Sequence, residues 1–174
     1  WVIGDSLSKE LLKASGLPPE KVRLVRPGDS FTVCGIGVEV FEGRHYDPDG
    51  SGTGVPAVMY LLTVGGKRIF LPADLRDYGA DHLPVIDAPD VMIANIWLGR
   101  GTAGCTADGA YEEFCDFVAY YRPKKVYLGH VWEALRTPQD MWRWEHAGRI
   151  MDGLMFRMPT VTATPLQLFG CYEL

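Results

Sequence analysis

Apolar and polar positions along this chain follow two rhythms, which divide it into a strand-rich front and an alternating back. Residues 31–34 and 36–41 alternate around Gly35 and Gly37, the two-residue period of a hairpin or of two short linked strands. Residues 57–64 and 67–71 are almost continuously apolar and are separated only by Gly65-Gly66, a two-residue hairpin signal, so the second run is expected antiparallel to the first. Residues 90–97 form another buried-type strand. Asp108 opens an amphipathic helix with Tyr111, Phe114, Cys115, Val118 and Tyr121 on one face, and Pro123 ends it. A core strand at 125–130, a Trp- and Met-rich helix at 139–155 and one or two closing strands within 160–172 complete the back half. At the front, Ser6 or Ser8 is placed to cap a short helix through Lys9, Leu11, Leu12 and Ala14, stopped by Gly16 and Pro18-Pro19. A brief strand at 22–25 and a turn at Pro27-Gly28-Asp29 follow. Strands alternating with helices predict an α/β (α+β) fold, a sheet with helices packed on it.

Composition narrows the class. The 174 residues are 47% apolar, enough for one domain, 1–174, with a proper core and too few for two independent ones. A net charge of -5, with Lys and Arg scattered, argues against a nucleic-acid footprint. No apolar run approaches a membrane span, and Trp1 is followed by no signal-peptide pattern; a cytoplasmic protein is expected. Cys34, Cys105, Cys115 and Cys171 form no C-x-x-C pair and read as buried free thiols. Asp47-Pro48-Asp49-Gly50 looks like the front of a calcium loop, but Val58 stands where such a loop needs a bidentate Glu, so a plain turn is expected.

Chemistry is expected where strands stop. The run 67–71 ends in Pro72-Ala73-Asp74, and two other apolar runs end at His45 and His130, each beside Gly. Alone, Asp74 could cap a turn and each His could be a satisfied core or surface residue. Strands running the same way deliver their end residues to one rim, however, and two imidazoles with a carboxylate suit a first-row metal such as zinc, iron or manganese.

Here the sequence resembles the metallo-β-lactamase superfamily, in its branch of metal-dependent hydrolases related to sugar-phosphate lactonases. The resemblance rests on Glu42-Gly43-Arg44-His45, on the hairpin from Val64-Gly65-Gly66-Lys67 through Leu71-Pro72-Ala73-Asp74, and on Val126-Tyr127-Leu128-Gly129-His130. It implies the C-terminal part of an αββα four-layer sandwich, two mixed sheets covered by helices, incomplete on its N-terminal side. His45 and His130 would be metal ligands and Asp74 the carboxylate bridging two ions, with Asp74 and His130 at the catalytic centre. One or two Zn2+ (or Mn2+ or Fe) would polarise an ester, lactone or phosphoester of a small-molecule substrate and supply a hydroxide nucleophile. The family's His-x-His-x-Asp-His signature is absent; only His82 and His146 remain, and the chain is expected to begin just after it, at a stretch like Val2-Ile3-Gly4. Ala73 replaces the usual Gly before the Asp.

Around this site, Arg76, Asp77, Glu133 and Arg136 could line a polar pocket or be solvated surface. His146 is expected at the core edge. Trp132, Trp142 and Trp144 are expected in the core or at a subunit contact, which would make the protein a homo-oligomer. A rival motif is Gly99-Arg100-Gly101-Thr102-Ala103-Gly104, which fits G-x-G-x-x-G between a strand and a helix and would suit a dinucleotide-binding oxidoreductase. The helix opens several residues too late, at Asp108, and the next strand ends in His130 instead of an acid, so a Gly-rich rim loop is the preferred use. A non-catalytic structural fragment is the third reading. No Ser sits in a G-x-S-x-G elbow.

Overall fold

The structure, a computed structural model, describes residues 2–5, 8–46, 52, 54–99, 108–131, 143–167 and 169–174. Its elements, in chain order, are β1 (Val2–Gly4), α1 (Lys9–Ala14), β2 (Val22–Leu24), β3 (Ser30–Val33), β4 (Ile36–Tyr46), β5 (Gly54–Val64), β6 (Lys67–Leu71), β7 (Val91–Asn95), α2 (Asp108–Tyr121), β8 (Lys125–Gly129), α3 (Trp144–Arg157) and β9 (Thr162–Pro165). Among the described residues, β3 to β9 form a seven-stranded sheet in sequential order, and β1 and β2 form a separate parallel pair. The first three pairings are antiparallel and the last three parallel. Consequently β4, β6, β7, β8 and β9 all run the same way, and their carboxyl ends share one rim.

Local chemistry explains the two hairpins. Cys34 and Gly35 have φ of 50° and 79°, and Gly65 and Gly66 have 55° and 78°. Two successive left-handed residues make the turn whose twist matches paired strands, which glycine adopts without a Cβ clash. Expectation and structure differ in extent. β4 does not stop at Phe41 but continues through His45 to Tyr46, because Gly43, Arg44 and His45 pair with Ala57, Pro56 and Val55 of β5. His45 therefore lies inside a strand end instead of after it. At the tail, where one or two closing strands were expected, β9 is the one strand among the described residues. The expected start of the second helix at 139, the turn at 47–50 and Ser6 lie outside the described residues.

One face of the sheet is covered by α2 and α3. Met59, Leu61, Phe70, Met92, Ala94 and Leu128 pack there against Phe114, Val118, Ile150 and Leu154. All five residues expected on the buried face of α2 are buried. On the other face, Val38 and Val40 meet Val25 and Ile3 under the small β1–β2 sheet, and Ile69, Val91 and Tyr127 pack with Leu166 and Tyr172 of the tail. Strands β7 and β8 are buried on both faces, as central parallel strands are. The layers seen are thus helices, a large mixed sheet and two strands of a second sheet.

Candidate metal centre

The rim formed by the carboxyl ends of β4, β6 and β8 gathers the three residues that the sequence singled out. His45 Nε2 lies 2.9 Å from Asp74 Oδ2, and His130 Nδ1 lies 3.5 Å from Asp74 Oδ1. A carboxylate only accepts, so His45 donates through Nε2 and its Nδ1 carries the lone pair. That Nδ1 is buried without a hydrogen-bond partner, and so is Asp74 Oδ1. His130 Nδ1 lies 3.3 Å from the carbonyl of Ile96; donation there leaves Nε2 as its lone-pair nitrogen.

The surrounding backbone holds this arrangement. Arg76 N donates to Arg44 O at 3.0 Å, which ties the chain after Asp74 to the strand that carries His45. Ile96 N donates to Gly129 O at 3.1 Å and so joins the end of β7 to the residue before His130. Ala73 and His130 both sit in left-handed backbone, with φ of 63° and 64°. Non-glycine residues there cost energy that the rest of the structure must offset, and such positions cluster at functional sites. Beneath the rim, the Tyr78 hydroxyl donates to Trp97 O at 3.3 Å and its ring stacks on Phe117 at 4.8 Å. Burial pushes that hydroxyl well above its ordinary range, keeping it a protonated donor.

Two imidazoles and a carboxylate, with two buried polar atoms lacking partners, are a donor set that fits a zinc-type ion. Among the described residues, however, no three His, Cys, Asp or Glu side chains stand ready to hold an ion. Asp74 is hydrogen-bonded to a ring where a shared ion would need nitrogens and oxygens each about 2.0–2.2 Å away.

The other candidates fall as follows. Asp77 accepts from Gly79 N at 2.9 Å and faces Arg44 at 3.8 Å and His82 at 3.6 Å. It braces the loop after Asp74. The Arg76 guanidinium lies over the Trp97 ring at 4.5 Å. His146 is buried as expected; its Nδ1 accepts from Arg143 N at 2.9 Å. Trp144 is exposed, so of its two expected places, the core or a subunit contact, the core is ruled out. Cys115 is free and buried as expected, whereas Cys34 and Cys171 are free but exposed, which corrects the burial expected of them. Trp132, Glu133, Arg136, Trp142, Cys105 and the rival motif from Arg100 to Gly104 lie outside the described residues.

Sequence reasoning missed Asp5. It follows β1 as Asp74 follows β6, and it lines a cleft of about 360 Å³ together with His45 and Asp74. Its only signal was the short apolar stretch Val2-Ile3-Gly4 before it.

No protein-family model matches the sequence, and the search of curated proteins found no match to it. Solved structures do match. The metallo-β-lactamase fold protein YhfI from Bacillus subtilis superposes with a TM-score of 0.65 at 12% identity, over 95% of this chain and 61% of that one. Igni18, a metallo hydrolase from the archaeon Ignicoccus hospitalis, gives 0.52 at 14% identity, over 95% and 64%. CmlA, a diiron β-hydroxylase from Streptomyces venezuelae, gives 0.57 at 14% identity, over 91% and 35%. The chain thus spans about three fifths of the length of YhfI and Igni18. At these identities the likeness is one of fold, and by its fold this chain is a partial metallo-β-lactamase-like sandwich.

Proposed function

We propose that the chain contributes His45, Asp74 and His130 to a metal-dependent hydrolase centre acting on an ester, lactone or phosphoester of a small-molecule substrate. The observation that carries this reading is the meeting of the three side chains at one strand-end rim, with Asp74 Oδ1 and His45 Nδ1 buried and without hydrogen-bond partners. A zinc ion, or manganese or iron, would supply Lewis-acid polarisation and an activated water when bound. His45 and His130 would serve as neutral imidazole donors, and Asp74 has an oxygen for each of two neighbours. The Ile96 carbonyl fixes the tautomer of His130, as second partners of ligating histidines do. Solved relatives of the fold include both a hydrolase and a hydroxylase, so the fold leaves the reaction open. The resemblance at 42–45, 64–74 and 126–130 favours hydrolysis, while the donor set suits either reaction.

The test is metal analysis of purified chain dialysed against Zn2+ or Mn2+, with hydrolysis of 4-nitrophenyl acetate and bis(4-nitrophenyl) phosphate followed in parallel. At least one equivalent of ion is expected. His45→Ala, Asp74→Asn and His130→Ala should each weaken binding tenfold or more, since loss of even an outer partner costs about 10–100-fold. Under one equivalent in the parent, with no effect of the three variants, would sink the reading.

A further inference from the structure

Side chains take up the carbonyls that follow β7, and one of those side chains has no part in the hydrolase reading. Pairing of β7 with β8 ends at Asn95 and Gly129, and its pairing with β6 ends earlier, at Met92 and Phe70. Ile96 and Trp97 run on beyond it and are buried, so a carbonyl that lost its partner there would be costly. The Ile96 carbonyl faces the β8 side, where His130 Nδ1 lies 3.3 Å away. The Trp97 carbonyl faces the loop after β6, where the Tyr78 hydroxyl donates to it at 3.3 Å. Because peptide groups are planar, only the φ and ψ of Trp97 separate the two carbonyls, and fixing one restrains the other.

The His130 Nδ1–H has two acceptors within reach, Ile96 O and, at 3.5 Å, Asp74 Oδ1. A carboxylate is the stronger acceptor, and this oxygen is buried without a hydrogen-bond partner. The ring therefore keeps to the carbonyl only while the carbonyl is held in place. Tyr78 is built to hold it: its ring stacks on Phe117 at 4.8 Å and meets Phe114 edge-on at 5.6 Å. Burial most of all, and the charge of Asp74 in addition, raise its hydroxyl well above the ordinary range, so it stays protonated and able to donate.

We propose that Tyr78 is a positioning residue for His130: through the Trp97 and Ile96 carbonyls it keeps the His130 Nδ1–H turned away from Asp74, leaving His130 Nε2 and Asp74 Oδ1 both available to an ion. The proposal rests on reading His130 and Asp74 as ion ligands.

The test compares Tyr78→Phe with Tyr121→Phe. Each keeps its ring and loses one hydroxyl that donates to a backbone carbonyl at 3.3 Å, but Tyr121 gives its bond to Pro84 O and closes α2 ahead of the start of β8, at the end of the sheet away from His130. Zinc affinity is measured by competition with a chromogenic chelator. The His130 Nδ1–H proton is followed by NMR in the ion-free chain and assigned by its loss in His130→Ala. Tyr78→Phe is expected to weaken zinc binding about tenfold, the low end of what an outer partner of a ligating histidine costs. It should also move the Nδ1–H signal downfield, as exchange of a carbonyl for a carboxylate acceptor does. Tyr121→Phe should leave both readouts at their parent values. Zinc binding by Tyr78→Phe within about twofold of the parent overturns the proposal. So does an unmoved Nδ1–H signal, or a zinc loss in Tyr121→Phe as large as that in Tyr78→Phe. Unfolding of Tyr78→Phe alone also overturns it, by showing that the hydroxyl holds the fold and not one ring. A parent that binds no zinc defeats the hydrolase reading instead, and the Nδ1–H signal, read without ion, still decides whether Tyr78 positions His130.

Discussion

At the scale of single residues, backbone conformation separates what the site needs from what it tolerates. Ala73 precedes the proposed ligand Asp74 with φ of 63°, a region that costs an L-residue roughly 1–2 kcal/mol and glycine almost nothing. Glycine loses some of that advantage through its greater freedom when unfolded, about 0.5–1 kcal/mol. Ala73→Gly is therefore expected to stabilise the fold by about 0.5–1 kcal/mol, measured by urea denaturation, with ion binding retained. A loss of stability would mean that the Ala73 methyl contributes packing that outweighs the strain. The three proposed ligands were legible because each terminates an apolar run long enough to read as a strand. Asp5 was not, since β1 and its partner β2 have three residues each and hold their place by pairing with each other. Pairing between distant segments leaves little periodicity in either one. The cap at α1 shows the same limit: Ser6 or Ser8 was expected to cap the helix, whereas the Ser8 side chain makes no cap bond and Ser8 N donates to Asp5 Oδ1.

At the scale of elements, α2 and α3 come close enough at one point for a missing side chain to matter. A Cβ on Gly153 would lie 2.8 Å from Cys115 Sγ, inside any real contact. The thiol points back at its neighbour and lies 3.7 Å from Ile150 O, and burial raises it to about 11, so it stays neutral at physiological pH. Arg157 then fastens the same two helices through Glu112 and Asp116. Glycine inside a helix costs about 1 kcal/mol against alanine, so propensity alone would make Gly153→Ala stabilising. Overpacking at a buried contact costs about 1–3 kcal/mol and acts the other way. The expected result is a net loss of about 1 kcal/mol in thermal or urea denaturation, recovered when Cys115→Ala is added to Gly153→Ala. Absence of that recovery would show that the helices meet elsewhere. The helix faces were readable in advance because 3.6-residue periodicity is local, whereas the length of β4 was not. Gly43, Arg44 and His45 look like a polar exit from a strand, and only the partner strand β5 keeps them in it.

For the whole molecule, the parallel strands present two ends with different duties. Their carboxyl ends carry His45, Asp74 and His130, while their amino ends are drawn together by a single carboxylate, Asp90. Its Oδ2 accepts from Arg68 N at 2.9 Å, and its Oδ1 accepts from Lys124 Nζ at 2.7 Å. Its backbone carbonyl accepts from Lys125 N at 3.1 Å, so one residue touches the starts of β6, β7 and β8. The sequence showed this residue only as the first of a buried run, because its partners lie 22 and 34 positions away. The bond from Lys124, and then that from Arg68 N, hold the carboxyl down at about 2. A folded value below the unfolded one means that the ionised group favours the fold above its unfolded pKa near 3.9, and that the contribution disappears as pH falls through about 2. Asp90→Asn should thus melt at a lower temperature than the parent at pH 7, with the gap narrowing below about pH 4 and nearly closing at pH 2. Melting curves of both proteins across that range check it, and a gap that persists unchanged at pH 2 would show that packing, and not charge, is what Asp90 contributes. Because Asp90 holds the amino ends of the strands while the proposed ligands sit at their carboxyl ends, the same variant should leave zinc stoichiometry at pH 7 unchanged. A variant that loses both stability and zinc would show that the proposed centre depends on the alignment of the whole parallel sheet and not only on the loops that carry its ligands.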